Sequence, residues 1–250
     1  MPTAVFGLPK LEGDWSGAFC SPERTLVATQ LDEVGSLLNA AEAEAQRGNF
    51  VVLMLSYEAA PAFDASLKTH PSKSLPLAWA SVFSAKAKPP SLDSRPYRTT
   101  NWEPDVNRVD YDAAISRVHD LITRGHTYQV NYSMPLKAQF EGDSLSWYRD
   151  LCVAQGAKYS VYLDLGRYKI LSISPELFFE RKGDHVRTRP MKGTVRGGRW
   201  EEEDRELAQW LAGSEKDKAE NVMIVDLLRN DLGKVSIPGS VKVPSLFQLE

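Results

Sequence analysis

A carboxylate and an amine, each beside proline or glycine, are the first residues in this sequence that could do chemistry. Glu176 follows Pro175 at the end of an apolar segment. A carboxyl group at a strand end that faces a cleft is a candidate general acid, because burial raises its pKa. Glu176 alone is also compatible with an ordinary turn residue.

Lys192 and Thr194 flank Gly193 in the short segment after Pro190. Because Gly193 has no side chain, the backbone N–H groups and the Thr194 hydroxyl are accessible to a bound carboxylate. An amine held among apolar neighbours loses its proton more easily, so Lys192 is a candidate nucleophile. The alternative is a solvated loop lysine, which is the usual environment of lysine.

Asp217 and Glu220 form a third candidate group, at positions i and i+3 of a predicted helix. Residues at this spacing share a helix face, so both carboxylates could bind one cation. Mg²⁺ commonly takes one or two carboxylates and keeps several waters. Surface ion pairs with Lys216 and Lys218 would explain the same residues without a metal.

Predicted secondary structure places these residues in an α+β fold, with mainly antiparallel sheets flanked by helices. Hydrophobic periodicity and capping residues predict helices at 32–47, 145–154 and 201–211, and two more capped by Asp110 and by Ser214. Strands are predicted at 50–57, 128–134, 159–165, 168–173, 177–181 and 185–189. Strict alternation in 128–134 puts Gln129 on a polar face that meets solvent or lines a wet cleft.

A loop rich in proline and lysine at 84–96 predicts a boundary between an N-terminal lobe (1–96) and the main body (97–250).

Composition excludes several classes of protein. The net charge of −3 argues against a nucleic-acid partner, and the longest apolar run, at 50–55, is too short to cross a bilayer. Residues 1–15 lack the pattern of a secretory signal. Cys20 and Cys152 lack metal or redox spacing, so we expect two thiols in a reducing, cytoplasmic setting.

Four longer motifs connect these residues to a known family. They are YQVNYS (128–133), SPELFFE (174–180), RPMKGTVRG (189–197) and DKAENVMIVDLLRNDLGKV (217–235). In this order they closely resemble the chorismate-binding enzymes, which include anthranilate, aminodeoxychorismate, isochorismate and salicylate synthases. The similarity covers residues 108–250, and the motifs are long enough to be highly specific.

Two positions discriminate within the family. Isochorismate and salicylate synthases have a lysine base at the position of Gln129. This chain has glutamine there and so resembles the other members of the family. Anthranilate synthases have alanine where this chain, like aminodeoxychorismate synthases, has Lys192. The resemblance therefore implies an aminodeoxychorismate synthase component I, which converts chorismate and ammonia to 4-amino-4-deoxychorismate for para-aminobenzoate and folate synthesis.

The resemblance also implies roles for individual residues. Lys192 would add to the chorismate ring while Glu176 protonates the leaving hydroxyl. Gly193 and Thr194 would bind the substrate carboxylate, and Gln129 would line the substrate site. Glu220, with Asp217 as a weaker candidate, would hold Mg²⁺. Ammonia would come from a separate glutamine amidotransferase subunit.

Members of the family extend beyond the position that matches Glu250, so we expect this chain to be truncated at its C-terminus and its fold to be incomplete. Two alternatives stay open. One is anthranilate synthase component I, which Lys192 disfavours. The other is a non-catalytic fragment that only binds a partner or ligand, which the combination of Glu176, Lys192 and Glu220 disfavours.

Overall fold

The structure of the chain is a computed structural model, and it describes residues 3–7, 17–71, 75–88, 90, 95–156 and 158–249. The helices within these residues are α1 (Leu31–Gln46), α2 (Arg108–Thr123), α3 (Ser144–Gln155), α4 (Glu201–Gly213) and α5 (Glu215–Gly233), and a 3₁₀ turn spans Tyr57–Ala62. The strands are β1 (Ala4–Phe6), β2 (Gly17–Phe19), β3 (Arg24–Ala28), β4 (Phe50–Leu55), β5 (Ala78–Phe83), β6 (Tyr97–Thr99), β7 (Glu103–Pro104), β8 (Leu136–Lys137), β9 (Phe140–Gly142), β10 (Tyr159–Asp164), β11 (Lys169–Ser174), β12 (Leu177–Lys182) and β13 (His185–Arg189).

Two antiparallel sheets form the body of the protein. The first has the order β3-β5-β4 and the second the order β11-β10-β1-β2. Central strand β5 is buried along its whole length because both of its faces are covered. Ala78 and Ala80 lie in the cluster that includes α1, while Trp79 and Phe83 lie in the cluster shared with the second sheet.

Helix α3 covers the outer face of the second sheet. Along β1, Ala4 belongs to the core between the sheets, whereas Val5 contacts the cluster that contains Tyr148 and Cys152 of α3. This alternation is the one expected of a strand buried on both faces. The resulting order of layers is α1, first sheet, second sheet and α3, so the prediction of an α+β fold with antiparallel sheets and flanking helices is confirmed.

Most predicted elements are observed, and two details were wrong. Residues 128–134 form no strand, because no described strand runs beside them to accept and donate their backbone hydrogen bonds. Helix α2 begins earlier than predicted, since Asn107 rather than Asp110 is its N-cap. The Asn107 side-chain oxygen accepts the Asp110 N–H at 2.9 Å, which makes Asp110 a first-turn residue.

The proposed boundary near residue 96 stays a prediction. Within the loop that suggested it, residues 89 and 91–94 lie outside the described residues. Strands from both sides of the boundary nevertheless share one sheet: β1 pairs with β10, with Ala4 opposite Leu163 and Phe6 opposite Val161.

Candidate active site

The segment that carries Lys192 connects strand β13 to helix α4 and lies against helix α5. Gly193 has a φ of +74°, a left-handed conformation that glycine adopts without steric cost. A Cβ atom on Gly193 would lie 3.0 Å from the Asp217 Cγ and 3.0 Å from the Leu211 Cδ1. A side chain at position 193 would therefore crowd the side chains of Asp217 on α5 and Leu211 on α4.

A cavity of about 230 Å³ opens at this contact. Four of the predicted site residues line it together: Lys192, Gly193, Thr194 and Asp217. Strand ends, both helices and the segment near residue 248 complete the wall, through Tyr159, Pro175, Leu177, Arg189, Pro190, Met191, Val195, Leu211, Ala212, Lys218, Asn221, Phe247, Gln248 and Leu249. The cavity thus combines an amine, a carboxylate, a hydroxyl and accessible backbone. Its size suits a small acid.

The first turn of α5 forms one side of this cavity. Ser214 caps the helix, and its hydroxyl accepts the Asp217 N–H at 3.3 Å, as the sequence predicted. The positive end of the helix dipole lies at this turn, which favours negative charge there. Asp217 is half-buried and directed to the cavity by its place in this turn.

Glu176 lies at the rim of the cavity. Its neighbours Pro175 and Leu177 are lining residues, whereas Glu176 itself is exposed. The Ser174 hydroxyl accepts the Glu176 N–H at 3.2 Å and donates to the Glu176 carbonyl at 3.1 Å, which fixes a tight turn between β11 and β12. The burial that the sequence led us to expect for a general acid is therefore not found at Glu176.

The other two candidate residues do not line the cavity. Gln129 lies in the extended segment after α2, half-buried and outside any strand. Glu220 is one residue from the lining residue Asn221, and its carboxylate is 3.9 Å from the Lys216 amine. The described structure therefore gathers the Lys192 segment with Asp217 and leaves Gln129 apart, while the roles of all these residues stay predictions.

The carboxylates of α5 fit the chemistry of a magnesium site. No group of three or more His, Cys, Asp or Glu residues that could hold a metal occurs in the described part of the chain. Mg²⁺ nevertheless needs only one or two protein carboxylates when water and substrate oxygens fill its other positions. Asp217 and Glu220, at i and i+3 on α5, are a donor set of that kind.

Sequence reasoning missed Glu203, which the structure places at the centre of an ion-pair network. Glu203 accepts hydrogen bonds from Arg196 and from the Arg199 side chain and N–H, and Arg199 is the main cause that lowers the pKa of its carboxyl group to about 2. The sequence contained a signal, since Arg199 and Glu203 have i,i+4 spacing at a helix start. The helix dipole already accounts for an acidic residue at a helix start, so the spacing alone does not indicate a functional site.

None of the described helices is long and apolar enough to cross a membrane.

Comparisons with known proteins agree with these motifs. Aminodeoxychorismate synthase component 1 of Salmonella typhimurium is 44% identical over 156 residues, which are 62% of this chain and 34% of that protein. The Escherichia coli protein of the same name is 41% identical over 152 residues, 61% of this chain and 34% of that protein. Anthranilate synthase component 1 of Aquifex aeolicus is 34% identical over 150 residues, 60% of this chain and 30% of that protein. The match thus spans about a third of the length of these relatives.

Solved structures share the fold. Anthranilate synthase component I from Streptococcus pneumoniae superposes with a TM-score of 0.60 at 21% identity, over 75% of this chain and 50% of that one. A putative 2,3-dihydroxybenzoate-specific isochorismate synthase from Bacillus anthracis superposes with a TM-score of 0.65 at 18% identity, over 93% of this chain and 60% of that one. The family model for chorismate binding enzymes matches residues 12–250. With the motifs, the fold and this match in agreement, the chain belongs to the chorismate-binding enzyme family.

Proposed function

We propose that this chain is the chorismate-binding part of an aminodeoxychorismate synthase component 1, which converts chorismate and ammonia to 4-amino-4-deoxychorismate and water. The observation that carries the proposal is the placement of Lys192 in a cavity with Gly193, Thr194 and Asp217. Identity to the Salmonella typhimurium and Escherichia coli aminodeoxychorismate synthases, at 44% and 41%, exceeds that to the Aquifex aeolicus and Thermus thermophilus anthranilate synthases, at 34% and 39%. The lysine at position 192 and the higher identity both support amination at C4, which is the aminodeoxychorismate synthase reaction. Amination at C2 is the competing reaction of anthranilate synthases.

Each side chain has a definite part in the proposed reaction. The unprotonated Lys192 amine adds to C2 of chorismate, and the C4 hydroxyl leaves as water with a proton from Glu176. Ammonia then forms a bond to C4 as the bond between C2 and the Lys192 amine breaks, and the excess proton of the new amine returns to the Glu176 carboxylate. Gly193 N–H and the Thr194 hydroxyl hold the substrate carboxylate during both steps.

Magnesium is the cofactor that we propose, held by Glu220 with Asp217 in support. When bound, the ion supplies positive charge that binds a carboxylate and draws electron density from the ring. Isothermal titration calorimetry tests this assignment: chorismate binding should require Mg²⁺, and Glu220→Gln should weaken it. The same substitution at Glu215, an exposed residue of the same helix that is not a proposed Mg²⁺ ligand, is the control.

The partner that we propose is a glutamine amidotransferase, which would deliver ammonia. Support comes from the word "component" in the names of the relatives, which denotes one part of a larger enzyme. Glutamine should replace ammonium as the nitrogen source only when that partner is present. Para-aminobenzoate and folate synthesis is the proposed destination of the product, and a cytoplasmic location is proposed with it.

A product assay tests the main proposal. The chain is supplied with chorismate, ammonium and Mg²⁺, and the products are identified by mass spectrometry. Formation of aminodeoxychorismate would support the proposal, whereas formation of anthranilate would show that the chain catalyses the anthranilate synthase reaction instead. A folded chain that forms neither product would contradict the proposal for this chain.

Substitution of Lys192 tests the nucleophile. Lys192→Arg keeps the positive charge but removes the nucleophilic amine, so both Lys192→Arg and Lys192→Ala should abolish the C2 addition. If charge alone mattered, Lys192→Arg would retain activity and only Lys192→Ala would lose it. Lys242→Ala, at an exposed lysine that does not line the cavity, is the matched control.

A further inference from the structure

The first turn of α4 holds the backbone that follows Lys192. Glu203 has only 12% of its side chain exposed, although Glu201 in the same turn has 78% exposed. One Glu203 carboxylate oxygen accepts the Arg199 N–H at 2.7 Å and the Arg199 Nε at 3.1 Å. The other accepts from Arg196 and, at 3.3 Å, from Arg199 Nη2. Both arginines lie in the segment that begins at Lys192.

Asp204 makes a second contact with this segment. Its carboxylate accepts the Gly198 N–H at 2.9 Å. A Cβ atom on Gly198 would lie 2.3 Å from the Asp204 backbone N and 2.6 Å from its Cα. Two backbones therefore approach each other here at a distance that only glycine permits. We call Glu203 and Asp204, with the backbone of residues 196–199, the α4 clamp.

The opposite end of α4 contacts the same segment at Gly193. Leu211 reaches the Gly193 backbone, where a Cβ atom would lie 3.0 Å from its Cδ1, and Leu211 also lines the cavity. One helix thus contacts the segment both at Gly193 and at 196–199. Because a helix is a rigid rod, these contacts fix the two ends of the segment relative to each other.

Charge strengthens the clamp. The guanidinium groups of Arg199 and Arg196 hold the pKa of Glu203 near 2, so its carboxylate is ionised at neutral pH. Hydrogen bonds between an ionised carboxylate and guanidinium groups are about twice as strong as neutral ones. Arg199 also lies over the Trp200 ring, with its Cζ 4.6 Å from the centroid, which further restricts the segment.

We propose that Glu203 is a positioning residue: through Arg196 and Arg199 it holds Lys192 in the orientation that faces the cavity. This rests on the proposed function, in which Lys192 is the nucleophile. Glu203 touches neither the cavity nor a reacting atom, and it acts only through the segment that it holds. A role limited to stabilising the helix start would need no contact with residues 196–199, as the Glu201–Arg205 pair shows.

Chemical labelling of lysines tests the position of Lys192 without any turnover. The chain is treated with a small amine-reactive ester, and the rate at Lys192 is measured by peptide mass spectrometry relative to exposed Lys242. In Glu203→Ala the half-buried Lys192 should be released, so this rate ratio should rise by about fivefold or more. Glu201→Ala, which removes an exposed pair on the same turn, should leave the ratio unchanged.

Two further variants separate release of the clamp from loss of folding. Gly198→Ala disturbs the clamp by steric conflict and leaves Glu203 in place, so it should raise the same ratio. Glu203→Gln keeps the acceptor for the Arg199 N–H but loses the charge, so its ratio should lie between those of wild type and Glu203→Ala. An unchanged ratio in all three folded variants would overturn the proposal.

Kinetics with chorismate and ammonium provide the second readout. Glu203→Ala should lower kcat by about 10-fold to 100-fold with little change in KM, because a misplaced nucleophile slows the chemical step. Adding Glu203→Ala should not lower the residual turnover of Lys192→Ala any further, whereas independent roles would give additive losses. A change in the labelling ratio without any aminodeoxychorismate formation would support the role of the α4 clamp and refute the proposed function. Aminodeoxychorismate formation with an unchanged labelling ratio would support the proposed function and refute the role of the clamp.

Discussion

At the scale of single residues, the candidate site depends on two glycines that let the Lys192 segment lie close to its neighbours. Gly193 brings the Lys192 segment against Asp217 and Leu211, and Gly198 brings its continuation against Asp204. Any larger residue at either position would displace the segment from one of the two helices. The position of Lys192 therefore depends on two nearby residues that have no side chain.

The proposed role of Glu176 as the general acid gives the first prediction. Glu176→Gln keeps the size of the side chain but cannot supply a proton, so kcat for aminodeoxychorismate formation should fall by about 10²-fold to 10⁴-fold. Initial rates with chorismate and ammonium measure the effect. Glu141→Gln, at an exposed residue paired with Arg98, is the control and should keep wild-type kcat. An unchanged kcat in Glu176→Gln would remove this residue from the mechanism.

The depressed pKa of Glu203 predicts how the clamp responds to acid. Its folded pKa of about 2 lies below the ordinary value of 4.5, so ionisation stabilises the folded state. This stabilisation is complete above about pH 4.5 and is lost as the pH falls towards 2. Urea unfolding midpoints of wild type and Glu203→Gln should therefore differ most at neutral pH and converge in acid. A difference that stays constant over this range would contradict the assignment.

At the scale of elements, helices α4 and α5 form the site while burying little of themselves. Neither helix has a fully buried residue among those described, in contrast to α1 and α3. Their positions depend on local contacts at their ends: the clamp at the start of α4, Leu211 near its end, and the Ser214 cap of α5. Single substitutions at these end contacts are therefore expected to change the position of α4 or α5.

The Ser214 cap gives a prediction at this scale. Ser214→Ala should cost about 1 kcal/mol of unfolding free energy through loss of the bond to the Asp217 N–H. It should also weaken chorismate binding, since Asp217 lines the cavity. Asn107→Ala removes the equivalent cap of α2, away from the cavity, so it should lower stability and leave chorismate affinity unchanged. Equal effects of both variants on affinity would contradict the link between cap and site.

At the scale of the whole molecule, the two sheets pack face to face and connect distant parts of the chain. Strand β1 lies between β2 and β10, so the start of the chain joins two segments that are far apart in sequence. Ala4, Phe83 and Leu163 meet in the core between the sheets. The N-terminal residues thus support the sheet from which β12 and β13 lead to the site.

This arrangement predicts that residues 1–96 and 97–250 depend on each other. Expressed together as separate fragments, they should co-purify as a complex, because β1 and β10 exchange backbone hydrogen bonds and share an apolar core. The fragment 97–250 alone should lack a cooperative thermal transition. If it unfolds cooperatively at the same temperature as the whole chain, the predicted boundary separates independent domains.

Helices and hairpins were largely determined by the local sequence. The α1, α3, α4 and α5 helices and the β10–β13 strands follow from hydrophobic spacing, caps and turn residues, which act over a few neighbours. The motif around Lys192 likewise indicated the family, because a long specific run of residues needs no tertiary information to be recognised. Local patterns failed at residues 128–134, where alternation predicted a strand. A strand exists only when a partner backbone lies beside it.

Only the tertiary structure decided which candidate residues meet. Lys192 and Asp217 line one cavity because Gly193 contacts both helices, whereas Gln129 and Glu220 lie outside its wall. Glu203 drew no functional interpretation from its sequence, since an acidic residue at a helix start already has a sufficient local explanation. Its pairing with Arg199 follows from i,i+4 spacing, but its contact with Arg196, seven residues away, depends on the path of the intervening backbone, which steric contacts between elements determine.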